Sequence, residues 1–330
     1  MMSRVRLVVV AALVGLFGSL LVAVPASGVS DAPHYCSAAR RLSYGVWQSN
    51  TLQYRSDVDW YSFRLTDTRR VRAVLGDLPS NFRLSLYGAC GDDPLVVSQR
   101  GGTTFEEIWK KLPAGTYRLR VGRQPMAATS SRSYRIRFVS YRAGVHAVSS
   151  RWLEKGTWDG RIVGDLINNT SWTRFDPKVR ITFYNRSGAV VGKATAEQPY
   201  PWLTVGNRAP FIWRGRGPTS AVRYSLTVLS GSEYRERGQL RWLRVHGVQR
   251  LAAGPSVAFR GKVTNDNTDS VSGGTIALIA YDPRGFVRDA SYARSDGGSI
   301  GPRKSATWTA YLRSPARDLH LVRYQAQGFH

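Results

Sequence analysis

The sequence predicts an all-β chain of three consecutive β-sandwich domains, the last two related by internal duplication. Three observations predict it. Apolar and polar residues alternate with period two: Tyr61, Phe63 and Leu65 against Ser62, Arg64 and Thr66, and Tyr134, Ile136 and Phe138 against Arg135 and Arg137. This is the pattern of half-buried antiparallel strands. Turn-forming clusters interrupt it at short intervals, at Gly91–Pro94, Asn185–Gly188 and Asp282–Gly285, as β-sandwiches require. Finally, Gly164–Asn169 recurs as Gly261–Asp266, an offset of 261 − 164 = 97 residues. The same offset carries Ile181 onto Leu278, Tyr184 onto Tyr281, Gly188 onto Gly285, Leu203 onto Ile300 and Phe211 onto Trp308. A module of this length is a folded domain used twice, not a solenoid repeat of about 20–50 residues.

Taken in order, residues 1–26 read as a signal peptide. Arg4 and Arg6 make a basic start, Leu7–Val24 is an apolar run, and Val24-Pro25-Ala26 offers small residues for cleavage. If it is not cleaved, the run would act as an N-terminal membrane anchor. Domains are then expected at 33–142, 143–241 and 242–330. The last two boundaries follow from a smaller echo, Val145-His146-Ala147-Val148 against Val245-His246-Gly247-Val248. The two histidines are explained by duplication and need no metal. Helical periodicity is rare; Thr104–Lys111 could form a short turn.

Cys36 and Cys90 are the two cysteines of the chain. An even count in an exported protein predicts one disulfide. The formal charge is +25, from 47 basic and 22 acidic residues, with 40 arginines among the bases. Such a chain attracts anionic polymers and surfaces. Its charge is spread along the sequence, and no Lys/Arg run resembles a nucleic-acid-binding tail, so specific nucleic-acid recognition is not expected.

Residues 55–139 resemble a bacterial pre-peptidase C-terminal (PPC) domain, a jelly-roll-like β-sandwich often appended to secreted proteases. The residues that carry the resemblance are Asp57–Phe63, Leu84–Tyr87, Leu112–Val121 and Tyr134–Ile136. The resemblance implies an accessory module for targeting or secretion, although no protease accompanies it here. Each later copy resembles the FxLYD domain, an immunoglobulin-like sandwich of bacterial cell-surface and secreted proteins. Gly164–Asn169, Val179–Asn185, Gly188 and Ala209–Phe211 carry it in the first copy; Gly261–Asn265, Leu278–Asp282, Gly285 and Ala306–Trp308 carry it in the second. The second copy departs at Ala280, where the first has Phe183, which implies a repacked core. The resemblance implies an envelope location and no common ligand.

No HExxH, GxSxG, P-loop or dinucleotide-binding motif is present. Glu106 and Glu107 are adjacent, so on a strand they point to opposite faces and make no acid/base pair. Asp57 and Asp59 share a face of an extended segment, and together with Asp92 and Asp93 they could hold a calcium ion. The Asn265–Asp269 turn is a second calcium candidate. Trp60, Trp213 and Trp308 are expected in the core. Trp172, Tyr200 and Trp202 fall on Asp269, Gly297 and Ser299 of the other copy. Residues that the fold does not need in one copy are candidates for an exposed glycan-binding surface in the other.

Alternation sends Arg118 and Arg120 outward from one strand, and Arg135 and Arg137 outward from the next. If these consecutive strands are neighbours, the four arginines form one polyanion-binding face. The expectation is thus an exported, noncatalytic binding or adhesion protein of the bacterial envelope. It would engage an anionic cell-wall polymer, a glycan or a membrane surface and use no cofactor other than calcium. The alternatives are an accessory or spacer protein that docks a separate secreted enzyme, and an enzyme with a cryptic site.

Overall fold

Two four- and five-stranded sheets hold residues 40–141. In the computed structural model, which describes residues 31–158, 160–234, 240–253 and 256–329, one sheet runs in the order Arg40–Arg41, Val58–Leu65, Gly115–Arg123, Phe82–Tyr87, Val96–Ser98. The other runs Gln48–Asn50, Tyr134–Tyr141, Arg69–Gly76, Glu106–Leu112. The alternating apolar residues face one another between the sheets: Tyr61, Phe63, Leu119, Val121, Tyr134 and Ile136 are all buried in one core. Period-two burial makes each sheet one-sided, so the polar positions of every strand are left outside.

A second sandwich packs Val145–Leu153, Arg161–Asn168 and Arg208–Arg214 against Val190–Ala196, Lys178–Tyr184 and Arg223–Leu229. The third winds around a 14-residue strand, Leu240–Ala253. Its first part pairs with Leu321–Phe329 and its remainder with Ser256–Thr264. The register slips between His246 and Gln249, where Gly247 takes a positive φ of 59°. This bulge lets a single strand serve both layers. The chain is therefore all-β; among the described residues the helical pieces are the 3₁₀ turns Cys36–Ala38 and Ala316–Asp318. The signal-peptide reading of residues 1–26 lies outside the described residues.

The duplicated residues have a structural purpose. Buried Asn168 donates from Nδ2 to the carbonyls of Trp172 and Leu203, both at 2.8 Å. Buried Asn265 donates to those of Asp269 and Ile300, at 2.7 and 2.9 Å. Each acceptor is offset by the same 97 residues (172 + 97 = 269; 203 + 97 = 300). Glycine is needed four residues earlier because the residue paired with it on the next strand, Phe211 or Trp308, puts its aromatic side chain over that position. A Cβ on Gly164 would come within 2.3 Å of Phe211, and one on Gly261 within 2.9 Å of Trp308.

Two expectations need correction. Gly115–Arg123 and Tyr134–Tyr141 are consecutive but not neighbours: the first lies between Val58–Leu65 and Phe82–Tyr87, and the second between Gln48–Asn50 and Arg69–Gly76. Both sides of each strand are taken, so the connection crosses from one sheet to the other. The segment read as a possible short turn at Thr104–Lys111 is instead extended, as the strand Glu106–Leu112. Cys36 and Cys90 are bonded across 54 residues.

Residues 31–330 form one compact unit. Besides a core in each sandwich, a fourth cluster draws Val74 and Phe105 from the first, Val163 from the second, and Ile279, Tyr281, Val287 and Ala290 from the third. The sandwiches thus share a buried junction.

Candidate functional site

At this junction Glu107 is fully buried and meets four guanidinium groups. Arg72 Nε lies 2.7 Å from its carboxylate, Arg208 Nη1 3.2 Å, Arg100 Nη2 3.7 Å, and Arg323 Nη2 closes the ring. The four come from four different strands or loops. Burial alone would push the Glu107 carboxyl up; Arg72, Arg208 and Arg323 outweigh it and hold it well below the usual carboxylate range. Arg208 also grips the buried Asp165 of the second sandwich, whose other oxygen takes Ser149 N and Oγ at 3.1 and 3.0 Å. The Arg208 guanidinium sits 5.2 Å from the Trp109 ring and 5.1 Å from the Tyr281 ring, so aromatic faces replace part of its lost hydration. Arg72 donates across the junction to Gly285 O at 2.6 Å. A second buried bridge joins Arg161 to Asp289 at 3.1 Å.

The four arginines expected on one face divide between the two sheets of the first sandwich. Arg135 lies 3.5 Å from Asp77, and Arg137 packs on Trp47 and Phe286 at the edge of the third sandwich. They belong to the junction side and not to a polyanion face with Arg118 and Arg120. The opposite sheet carries its own basic face. Its register sets Trp60 beside Arg120, Ser62 beside Arg118, and Arg120 and Arg118 beside Ser85 and Tyr87. Arg64 and Arg83 lie on the same outward side. The outward positions of these three strands hold no acidic residue. Trp60, which the sequence suggested for the core, stands on this face, 5.0 Å from the Tyr87 ring and under the Arg120 guanidinium.

Asp57 and Asp59 do share a face, and both are buried. They gather with Asp31 and His34, their ligand-type atoms all within 4.8 Å of one another. His34 Nδ1 is 2.8 Å from Asp57 Oδ1. Asp59 Oδ2 accepts from Asn50 at 2.9 Å and from Tyr134 OH, while its Oδ1 is buried without a hydrogen-bond donor. Burial pushes the Asp59 carboxyl up to about 7, against the Tyr134 hydrogen bond. The Val58 carbonyl, followed by the Asp57 charge, raises the His34 imidazole against partial burial. Three carboxylates and an imidazole could receive a divalent cation; the nitrogen suits a borderline metal better than calcium, which prefers all-oxygen shells.

Asp92 and Asp93 are exposed and stand outside this group. Asp92 instead closes its own turn by accepting Ala89 N at 3.1 Å. The carboxylates of the Asn265–Asp269 turn are also engaged, Asp266 with Arg244 at 2.8 Å and Asp269 with Arg241 at 3.3 Å.

The copy-specific aromatics do not form an exposed stacking surface. Tyr200 is 1% and Trp202 7% exposed, against 44% for Trp172. Tyr200 OH donates to Gln325 at 2.9 Å, and the Trp202 carbonyl accepts from Gln327 at 3.3 Å. Tyr200 therefore fills the seam between the second and third sandwiches, whereas the Trp202 ring packs on Phe175 and Tyr234 of its own sandwich, 5.6 and 5.8 Å away.

The junction was not foreseen. Its one sequence signal is a pair of acids inside an apolar run, Phe105-Glu106-Glu107-Ile108-Trp109, whose burial demands distant cations.

No family model matches the chain, and no curated protein does. Among solved structures it is similar to the pre-peptidase C-terminal domain of a Bacillus anthracis collagenase, at 15% identity and a TM-score of 0.27, over 30% of this chain and 93% of that one. It is similar also to β-glucuronidase 2 of Bacteroides uniformis, at 11% identity and a TM-score of 0.30, over 73% of this chain and 26% of that one. A β-glucuronidase of glycoside hydrolase family 2 shows 10% identity and a TM-score of 0.28, over 81% and 26%. This chain thus spans about a quarter of each glucuronidase chain, and at these scores the likenesses carry no functional argument.

Proposed function

We propose that the chain is an exported, noncatalytic binding protein of a bacterial envelope, a PPC-like sandwich followed by two FxLYD-like sandwiches. Its first sandwich engages an anionic polysaccharide or similar cell-wall polymer. The observation that carries this reading is the outward face of the sheet Val58–Leu65, Gly115–Arg123, Phe82–Tyr87. Arg64, Arg83, Arg118 and Arg120 share it with the Trp60–Tyr87 pair, and it offers no carboxylate. Guanidinium forks take sulfate, phosphate or carboxylate, and the rings take sugar faces. Folding also sharpens the charge: among the described residues it buries six acids (Asp57, Asp59, Glu106, Glu107, Asp165, Asp289) against four arginines (Arg72, Arg123, Arg161, Arg208). A cation at Asp31, His34, Asp57 and Asp59 belongs to the same reading.

The test is binding to immobilised heparin and to a teichoic-acid-type polymer across a salt series. Affinity should fall steeply with salt and drop when Arg118 and Arg120 become Ser. The pair Arg135→Ser and Arg137→Ser should leave it unchanged. Equal losses from both pairs, or binding that salt does not weaken, would overturn the reading.

A further inference from the structure

Beside Glu107 lies a cavity of about 180 Å³ that the binding face does not involve. Trp109, Asn207, Arg208, Tyr281, Arg323 and Gln325 supply its polar and aromatic wall, and the rest is aliphatic. The wall is rich in donors. Trp109 Nε1 and Arg208 Nε are buried and have no acceptor. The Gln325 carbonyl oxygen is already occupied by Tyr200 OH, which leaves its amide nitrogen to donate. Arg323 is the most open of the arginines on Glu107, with 32% of its side chain exposed.

Charge points the same way. Arg72, Arg100, Arg208 and Arg323 bring four positive charges to one carboxylate. Asp165 adds a second negative charge at Arg208. Glu106, which accepts the Arg100 backbone N–H, adds at most a third. Four against three leaves at least one positive charge in excess, and it falls on the partly exposed Arg100 and Arg323, because the buried Arg72 and Arg208 are matched by Glu107 and Asp165. An anion entering the adjoining cavity would meet this excess at Arg323.

We infer that this cavity is a binding site for a single anionic sugar unit, a hexose-sized ring bearing a carboxylate or phosphate. Its oxyanion lies at Arg323 and Arg208, and its ring lies against Trp109 and Tyr281. Drug-sized clefts hold about 300–1,000 Å³, so this cavity takes one ring and not an extended chain. The site lies on the opposite side of the first sandwich's fold from the polymer face and stands or falls separately from it.

The experiment is calorimetric titration and thermal unfolding of the full chain at matched ionic strength, with sodium glucuronate, glucose 6-phosphate, glucose and sodium chloride as ligands. One or both charged sugars should bind and raise the melting temperature, and which of them does so identifies the oxyanion. Glucose and chloride should do neither. Arg323→Gln should weaken the charged sugar about tenfold or more, and the comparison is made on the folded variant because the substitution also removes a partner of Glu107. Heparin binding should survive in this variant, whereas Arg118→Ser with Arg120→Ser should lose heparin and keep the sugar. If Arg323→Gln does not fold, Trp109→Phe removes the Nε1 donor, keeps a ring against Tyr141 and should show the same weakening. Equal binding of glucose, no binding of either charged sugar, or undiminished binding by the folded variants would overturn the inference.

Discussion

Glu107 and Asp59 are both buried carboxylates of the first sandwich, and they answer burial in opposite ways. Glu107 sits among four arginines and stays ionised. Asp59 has Tyr134 and Asn50 as donors, two acidic neighbours and one imidazole nearby, and its carboxyl rises to about 7. Burial is nearly equal at the two sites; the supply of cations decides the protonation state. At the junction half of that supply, Arg208 and Arg323, comes from the other sandwiches, so the ionisation of Glu107 depends in part on how the sandwiches are assembled, and that of Asp59 does not.

The strongest way to break this contrast is Glu107→Gln. It would leave four guanidinium groups around a neutral amide, and loss of one partner from a buried ion pair costs about 3–5 kcal/mol. Denaturant unfolding should show a loss of that size; a loss under about 1 kcal/mol would mean that the arginines are solvated.

Asp59 should show the contrast as a pH profile. Its folded pKa, about 7, lies above its ordinary value of 3.8, so the folded protein holds the proton more tightly. Stability attributable to this group therefore falls as pH rises from about 4 to about 7. Glu107 has the reverse sign: its lowered pKa contributes stability at neutral pH that is lost as pH falls into the acid range. Asp59→Asn should flatten the loss between pH 4 and 7 and raise the melting temperature at pH 8. A divalent cation bound at Asp31, His34, Asp57 and Asp59 would stabilise the wild type at pH 8 and not this variant. An unchanged profile in Asp59→Asn would remove the group from the account.

The two copies sharpen the comparison further. Asn168→Ala and Asn265→Ala each remove the same buried bonds, and each should cost about 2 kcal/mol. Losses differing by more than about 1 kcal/mol would show that the turns are not equivalent. The smallest effect belongs to Asp266→Asn, which breaks the exposed pair with Arg244. Unfolding should register little or no change there, in contrast to Glu107.

Strand alternation, the cysteine count and the 97-residue offset were enough to read the all-β architecture, the disulfide, and the equivalence of Gly164 with Gly261, because each depends on local pattern or simple counting. Sheet neighbours were not legible: the crossing from Gly115–Arg123 to Tyr134–Tyr141 depends on which strand edges are already taken, and this separated Arg118 and Arg120 from Arg135 and Arg137. Copy-specific residues were read as exposed function when Tyr200 packs in the seam and Trp202 packs on Phe175 and Tyr234. At the junction, Asp165 and Arg208 correspond to Lys262 and Ser305 in the third sandwich (165 + 97 = 262; 208 + 97 = 305), both exposed. Duplicated modules differ where they meet a neighbour, and the sequence does not say which neighbour that is.

Arg100 stands 107 − 100 = 7 residues from Glu107, and Arg72, Arg208 and Arg323 stand 35, 101 and 216 residues from it along the chain. Each longer span adds closure entropy before the contact can repay it. The first sandwich can fold early with Glu107 held by Arg72 and Arg100. Arg208 and Arg323 arrive only when the second sandwich has formed and the strand Leu321–Phe329 has taken its place between Val271–Tyr281 and Leu240–Ala253. The junction is thus expected to be the last part of the protein to set. Until it does, a solvent-accessible carboxylate marks the unfinished molecule, and refolding should show a late phase in the fluorescence of Trp109 after the strand signal is complete.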